Sequence, residues 1–362
     1  MASRSAAVAG AAEVARGSGG IDSGRYRMQV VAIAVGVVLL LLCGLVTLEI
    51  GAGGIDFVTS VEAIWSKLTG GHAADPEQAR KYLVVWNLRL PRVLMALLAG
   101  TTLAIAGTLF QGILRNPLVS PYTLGTAPAA AFGASVAVMF FGGSGEVLII
   151  GSVLAAVVST AFVLALSATR RLEVTTLILV GIAITQLFTA ATSGLQYFAD
   201  DETLAAIVRW TWGSVNATVW YQVGILAALL VVIYPLVQRR SGAINAIAFA
   251  GDDSAKSLGV NVSRVRFEAI GAGVILTAVT IGFTGIIGFV GLVGPHIARL
   301  VVGANHRFLI PFSAIIGSAV LLVADAVSRV VVKPAVLPIG IIDALIGVPI
   351  FLYLVLSRPK VS

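Results

Sequence analysis

The sequence predicts an all-α polytopic membrane protein with ten transmembrane helices, and three observations carry that prediction. Of the 362 residues, 58% are hydrophobic and 11% charged, with a mean hydropathy of +1.00, a composition foreign to soluble domains. The apolar residues form continuous runs about as long as a helix needs to cross ~30 Å of hydrocarbon at ~1.5 Å per residue. The short alternating segments of an outer-membrane barrel are missing. Finally, Lys and Arg gather between the runs in a pattern that assigns alternating sides. The net charge of +7 is thus accounted for by topology, with no call for a nucleic-acid partner. Cys43 is the single cysteine, which excludes a disulfide framework or a thiolate metal site.

Residues 1–27, rich in Ala, Gly and Ser with Arg4, Arg16, Arg25 and Arg27, read as a disordered basic tail in the cytoplasm. Residues 28–47 form the first span. The run is longer than a signal-peptide core and no cleavage site follows it, so it is expected to be retained. Residues 50–88 are a long polar connection, with a short amphipathic helix over 55–68 for which Asp56 and Thr59 are available caps.

The stretch around which the chain is organised is 87–126. Arg89 and Arg92 flank Pro91, which suits the first turn of a helix because its missing N–H is not needed there. Residues 93–114 then run without a charge, and Arg115, Asn116 and Pro117 close the span. Ala96, Gly100, Ala104 and Gly107 fall on one helical face. Small residues so placed let membrane helices bring their backbones together, so this span is expected in the middle of the bundle.

Residues 122–141 and 147–168 read as a helical hairpin over GGSGE, with Arg170 and Arg171 marking a cytoplasmic turn, and 175–198 spans again. Residues 199–218 are amphipathic. Trp210, Trp212 and Trp220 look like an interfacial belt. The span 221–237 returns to Arg239 and Arg240. The polar segment 241–266 contains GDDSAKSLGVNVSRVR, in which Asp252 and Asp253 begin a short helix and Gly259 ends it. Gly251 to Ser257 nearly spells a phosphate-binding loop, but Ala255 stands where the Gly before Lys-Ser is required. No other stretch offers that loop, so the chain is not expected to hydrolyse ATP itself.

Over 269–298 the only ionisable side chain is His296, and Gly282, Gly285, Gly288, Gly291, Gly294 and Pro295 argue for a break. Charge bias prefers two crossings here, which leaves both termini inside. Spans 308–327 and 339–356 complete a transmembrane domain over 28–357, followed by a cytoplasmic tail, 358–362. A weak internal repeat is suggested by the common Gly-to-Pro spacing of 107–117 and 285–295.

Several motifs occur together: R-L-P-R at 89–92, G-x6-G-x3-Q ending at Gln111, R-N-P-L-x-x-P-x-x-L-G at 115–125, WGS at 212–214 and SLGV at 257–260. GFVGLVGPHIARLVVGANHR follows at 288–307, then P-x-S-A-x-x-G at 311–317, A-D-x-x-x-R at 324–329, LPIG and GVPIF. In this order, over about 85–357, they resemble the FecCD family, the permease subunits of bacterial ABC importers for ferric siderophores, haem and cobalamin.

The resemblance implies a type II importer permease in the inner membrane, paired with a second permease subunit, either a copy or a paralogue. It further implies two ATPase subunits, which carry the ATP and Mg, and an external substrate-binding protein. No cofactor is implied in this chain. Arg89, Arg92 and Arg329 occupy the positions that meet acidic residues of the binding protein. Residues 252–260, with Asp252, Asp253, Lys256, Leu258 and Gly259, resemble the coupling helix that docks on the ATPase. Two positions depart from the family pattern: Val336, where an acidic residue is common, and Asp343, where a small neutral one is. Ferric siderophore leads as cargo, with haem and cobalamin as alternatives.

Asp325 lies four residues before Arg329, so an intrahelical ion pair is the simplest account of it. Asp343 has no evident partner. An ion-coupled secondary transporter is the rival class, because it would give both carboxylates a role. It would leave the 252–260 segment and the outer arginines without one. His72, His296 and His306 lack a metal-ligand spacing, and the sequons at Asn216 and Asn261 read as coincidence.

Overall fold

The computed structural model describes residues 2–51, 55–71, 73, 75–168, 173–332 and 335–356. Among them every regular element is helical. The chain begins with α1 (Ala2–Glu49), α2 (Phe57–Thr69) and α3 (Pro76–Val84), and a wide turn over Val85–Arg89 leads into α4 (Leu90–Ile113). After a tight turn at Pro121–Leu124 come α5 (Thr126–Phe141), α6 (Gly145–Ala168), α7 (Val174–Phe198), α8 (Asp201–Thr211) and α9 (Trp220–Arg239). The short α10 (Ser241–Asn245) and α11 (Gly251–Ser257) precede α12 (Val262–Thr284), α13 (Val290–Val302), α14 (His306–Val330) and α15 (Ile339–Leu356). Seven of these are long and apolar enough to cross a membrane, and α5, α13 and most of α15 are shorter apolar helices. Together they answer to the ten predicted segments.

α4 is the central helix. Leu103, Ala104, Ile105, Ala106, Leu109 and Phe110 are all fully buried, enclosed by α9, α12, α13 and α14. The predicted small face makes this possible. A side chain at Gly100 would collide with the Gly317 carbonyl on α14, and one at Gly107 with the Gly291 carbonyl on α13, so glycine is required at both crossings. Hydroxyls tie the same helices: Thr102 to Thr280 at 2.7 Å and Thr101 to Ser318 at 2.7 Å.

The break in 269–298 falls at Gly285, after which α13 starts afresh. Gly285 packs on Trp210 and Gly213 at one end of the bundle. At the other end, Val302 accepts a hydrogen bond from Gln29 (2.6 Å) and Arg299 donates to Gln111 (3.0 Å). α12 and α13 therefore run in opposite directions, as two crossings require. Arg25, Arg239, Arg240, Arg264 and Arg307 gather at that second end, termed inner below after the positive-inside rule.

Three expectations are corrected. α1 is helical from Ala2, where a disordered tail was expected. Alanine is the best helix former, and extending the spanning helix needs no new nucleus. The connection 50–88 holds a second helix, α3, with Asp75 accepting from the Gln78 N–H (2.7 Å) and Pro76 in the first turn. That is a start signal present in the sequence. The suggested repeat fails: 107–113 forms the last two turns of α4, whereas 285–289 is irregular.

Candidate functional site: the two ends of the bundle

At the outer end, α1 stops inside the protein and leaves its last carbonyls without intrahelical donors. Arg89 Nη1 donates to Leu48 O (2.6 Å), Glu49 O (3.4 Å) and Ile55 O (3.4 Å). Arg329 Nη1 donates to Thr47 O (3.0 Å) and Ile50 O (2.5 Å). Two cations at a helix C-terminus also oppose its dipole favourably. Asp325, fully buried, lies between Arg92 (2.7 and 2.8 Å) and Arg329, with which it forms the predicted i, i+4 ion pair.

The fold thus brings Arg89, Arg92 and Arg329 together round the end of α1 and Asp325, but not as an open patch. Arg89 and Arg329 are only 7% exposed, and the Arg92 side chain 13%. A buried helix end and a buried carboxylate both need donors, and these guanidiniums supply them.

Asp343 has a partner that the sequence did not disclose. Its Oδ2 accepts the Phe289 N–H at 2.9 Å, where α13 begins, so the carboxylate sits against the positive end of that helix. The same junction is locked by Ser214 N–H donating to Thr284 O (2.6 Å) and by Tyr122, whose hydroxyl donates to Ile287 O. Gly340 lies against the carbonyls of Trp212 and Ile286.

At the inner end, residues 251–257 form a helix rather than a phosphate-cradling loop. Gly251 takes φ +83°, and a Cβ there would come within 3.1 Å of the Arg115 guanidinium. Asp252 turns inward and meets Arg266 at 2.9 and 3.1 Å, and Arg266, itself fully buried, also reaches Ile113 O of α4 at 3.4 Å. α11 is thereby fastened to both α12 and the end of the central helix.

Asp253 and Lys256 pair on the exposed side at 2.9 Å. The hydrogen bond and charge of Lys256 hold the Asp253 carboxyl below its usual range. Gly259 (φ +81°) ends the turn, with its N–H on Lys256 O (2.9 Å) and that of Val260 on Ala255 O (3.0 Å). Leu258 is 71% exposed, and Phe249 also projects into solvent.

Of the residues assigned to coupling, Asp253, Lys256 and Leu258 therefore face outward, Gly259 shapes the turn, and Asp252 anchors it. Arg266, the other half of that anchor, escaped the sequence reading. An arginine opening a span looks like a headgroup contact unless its carboxylate is known.

His306 is buried against Asn245, which accepts its backbone N–H at 2.9 Å and lies 2.8 Å from Nδ1. His296 is buried in the bundle; His72 lies outside the described residues.

This arrangement, a bundle wound round one helix with a short amphipathic turn projecting from its basic end, is that of an ABC importer permease. The chain belongs to the FecCD transport family, whose profile matches residues 21–357. It is 43% identical to an ABC transporter permease protein of Methanocaldococcus jannaschii over 77% of this chain and 83% of that one. It is 32% identical to the hemin transport system permease protein HmuU of Yersinia pestis over 89% and 94%. A solved metal-chelate type ABC transporter in an inward-facing conformation superposes with a TM-score of 0.79 at 33% identity, covering 90% of this chain and 99% of that chain.

Proposed function

We propose that this chain works as one of two permease subunits of an ATP-driven importer in the bacterial inner membrane, with ferric siderophores as its first-choice cargo. The observation that carries the reading is the inner turn. α11 is clamped from behind by Asp252–Arg266, and the residues on either side of it, Phe249 and Leu258, are exposed to a partner, the geometry of a lever seated in another subunit's groove. Two ATPase subunits holding ATP and Mg are that partner, and nucleotide drives the cycle by binding the two openings of the permease unequally.

At the outer end, Arg92 keeps an exposed edge and is the arginine offered to an external binding protein. Arg89 and Arg329 hold the rim that presents it. Relatives named for hemin, Fe(3+)-citrate and vitamin B12 favour a bulky metal chelate, although one named for molybdate widens the family's range. The ion-coupled alternative is disfavoured because its two candidate relays are engaged, Asp325 as counter-charge and Asp343 at a helix start.

The test of cargo is competition: the permease, its ATPase and its binding protein in proteoliposomes, offered ferric siderophore, haem and cobalamin together. Preferential uptake of ferric siderophore is expected. Uptake of haem or cobalamin alone would overturn the iron assignment and leave the importer class standing.

A further inference from the structure

Between α9 and α12, at the inner end of the bundle, lies a groove of about 660 Å³. Its floor is Leu109 of the central helix, and its walls carry Leu236, Phe267 and Ile275, all of them exposed. In a membrane these walls face acyl chains. Arg239, Arg240 and Glu268 form the mouth, with Arg264 beside them.

Arg240 and Arg264 share Glu268, at 2.8 and 2.9 Å, and Arg239 makes no ion pair among the described residues. Three guanidiniums thus stand against one carboxylate where α9 leaves the apolar zone. Glycine is a poor helix former, yet Gly271 sits within α12 on the groove lining, and a Cβ placed there would meet nothing within 4 Å. The protein leaves this space open without being forced to by its own packing.

We infer that this groove binds an anionic phospholipid, with an acyl chain along Leu236, Phe267 and Ile275 and the phosphate at Arg239, Arg240 and Arg264. The charge excess selects the headgroup. Guanidinium forks suit phosphate oxygens, and basic pockets between spanning helices on the inner side attract anionic lipid. A zwitterionic lipid brings its own ammonium to the same mouth and gains less. A soluble anion gains nothing from the apolar walls, which have no polar group to offer it.

The test compares the purified full chain in nanodiscs of phosphatidylcholine alone and of phosphatidylcholine with phosphatidylglycerol. The readouts are the melting temperature and, after detergent extraction, the lipid retained in native mass spectrometry. Wild type should retain one phosphatidylglycerol and melt several degrees higher when that lipid is present. Gly271→Leu, which fills the groove, and Arg239→Gln, which weakens its mouth, should each lose most of that rise while melting like wild type in phosphatidylcholine. Should Gly271→Leu lower that baseline, Arg239→Gln decides. Equal rises in wild type and Arg239→Gln would overturn the proposal. So would a comparable rise with glycerol phosphate, which would mark a plain anion site, or the absence of any retained phosphatidylglycerol.

Discussion

Replacing Asp325 with Asn removes the one carboxylate that faces both Arg92 and Arg329. The carboxylate is fully buried, so its loss leaves two guanidiniums with too little opposing charge in a site that water barely reaches. Removing one partner from a buried pair typically costs about 3–5 kcal/mol. Two features move the expectation to the lower end. Arg329 keeps its bonds to Thr47 O and Ile50 O, and Arg92 keeps a hydroxyl contact with Ser328 at 3.4 Å and some solvent. A loss of about 3 kcal/mol follows, roughly a hundredfold in the folding equilibrium. The assay is thermal unfolding in detergent, with uptake measured in parallel. Adding Arg92→Gln to Asp325→Asn should recover part of the loss, because the one cation left still has the carbonyls of α1. An Asp325→Asn protein as stable as wild type but dead in transport would refute the structural ion-pair role and restore the ion-relay reading.

Gly107→Leu should sharply reduce the yield of folded protein, since its side chain meets the Gly291 carbonyl; overpacking costs typically ~1–3 kcal/mol or more. Gly224→Leu, with open space around it, is the control that should express normally. Leu258→Arg should leave the folding stability within about 0.5 kcal/mol of wild type, as for other exposed sites, yet abolish ATP-dependent uptake and co-purification of the ATPase; normal uptake would remove Leu258 from the coupling face. A reporter fused after Lys360 should read cytoplasmic, and an external reading would contradict the two opposed crossings of α12 and α13.

Much of the fold was legible because membrane helices announce themselves locally. Charge-free length marked the spans, the small face of α4 announced its central position, and the glycines after Ala278 marked the break at Gly285. The turn around Gly259 was equally readable, because its cap and acidic first turn lie within ten residues. What escaped was set by partners distant in the chain. R-L-P-R reads as a surface patch until the end of α1 is seen to lie against it, with Leu48 accepting from Arg89 41 residues away. Asp343 looked unpaired because its donor, Phe289, is 54 residues earlier. Asp252 looked like an exposed helix-start residue because nothing local shows that Arg266 returns beneath it. Helix packing creates such pairs, and periodicity carries no record of which helix ends will meet. α3 was the exception, a start signal in plain view within a segment read only for its polarity.

The proposed function makes this chain the passive half of an ATP-driven machine, unable to transport on its own. The most direct measurement is uptake of labelled ferric siderophore into proteoliposomes holding the permease with its ATPase, supplied with binding protein outside and ATP within. Uptake should require ATP and Mg, stop when the ATPase is omitted, and be indifferent to the collapse of proton and sodium gradients. Uptake by the permease alone, driven by either gradient and lost with Asp325→Asn or Asp343→Asn, would contradict it.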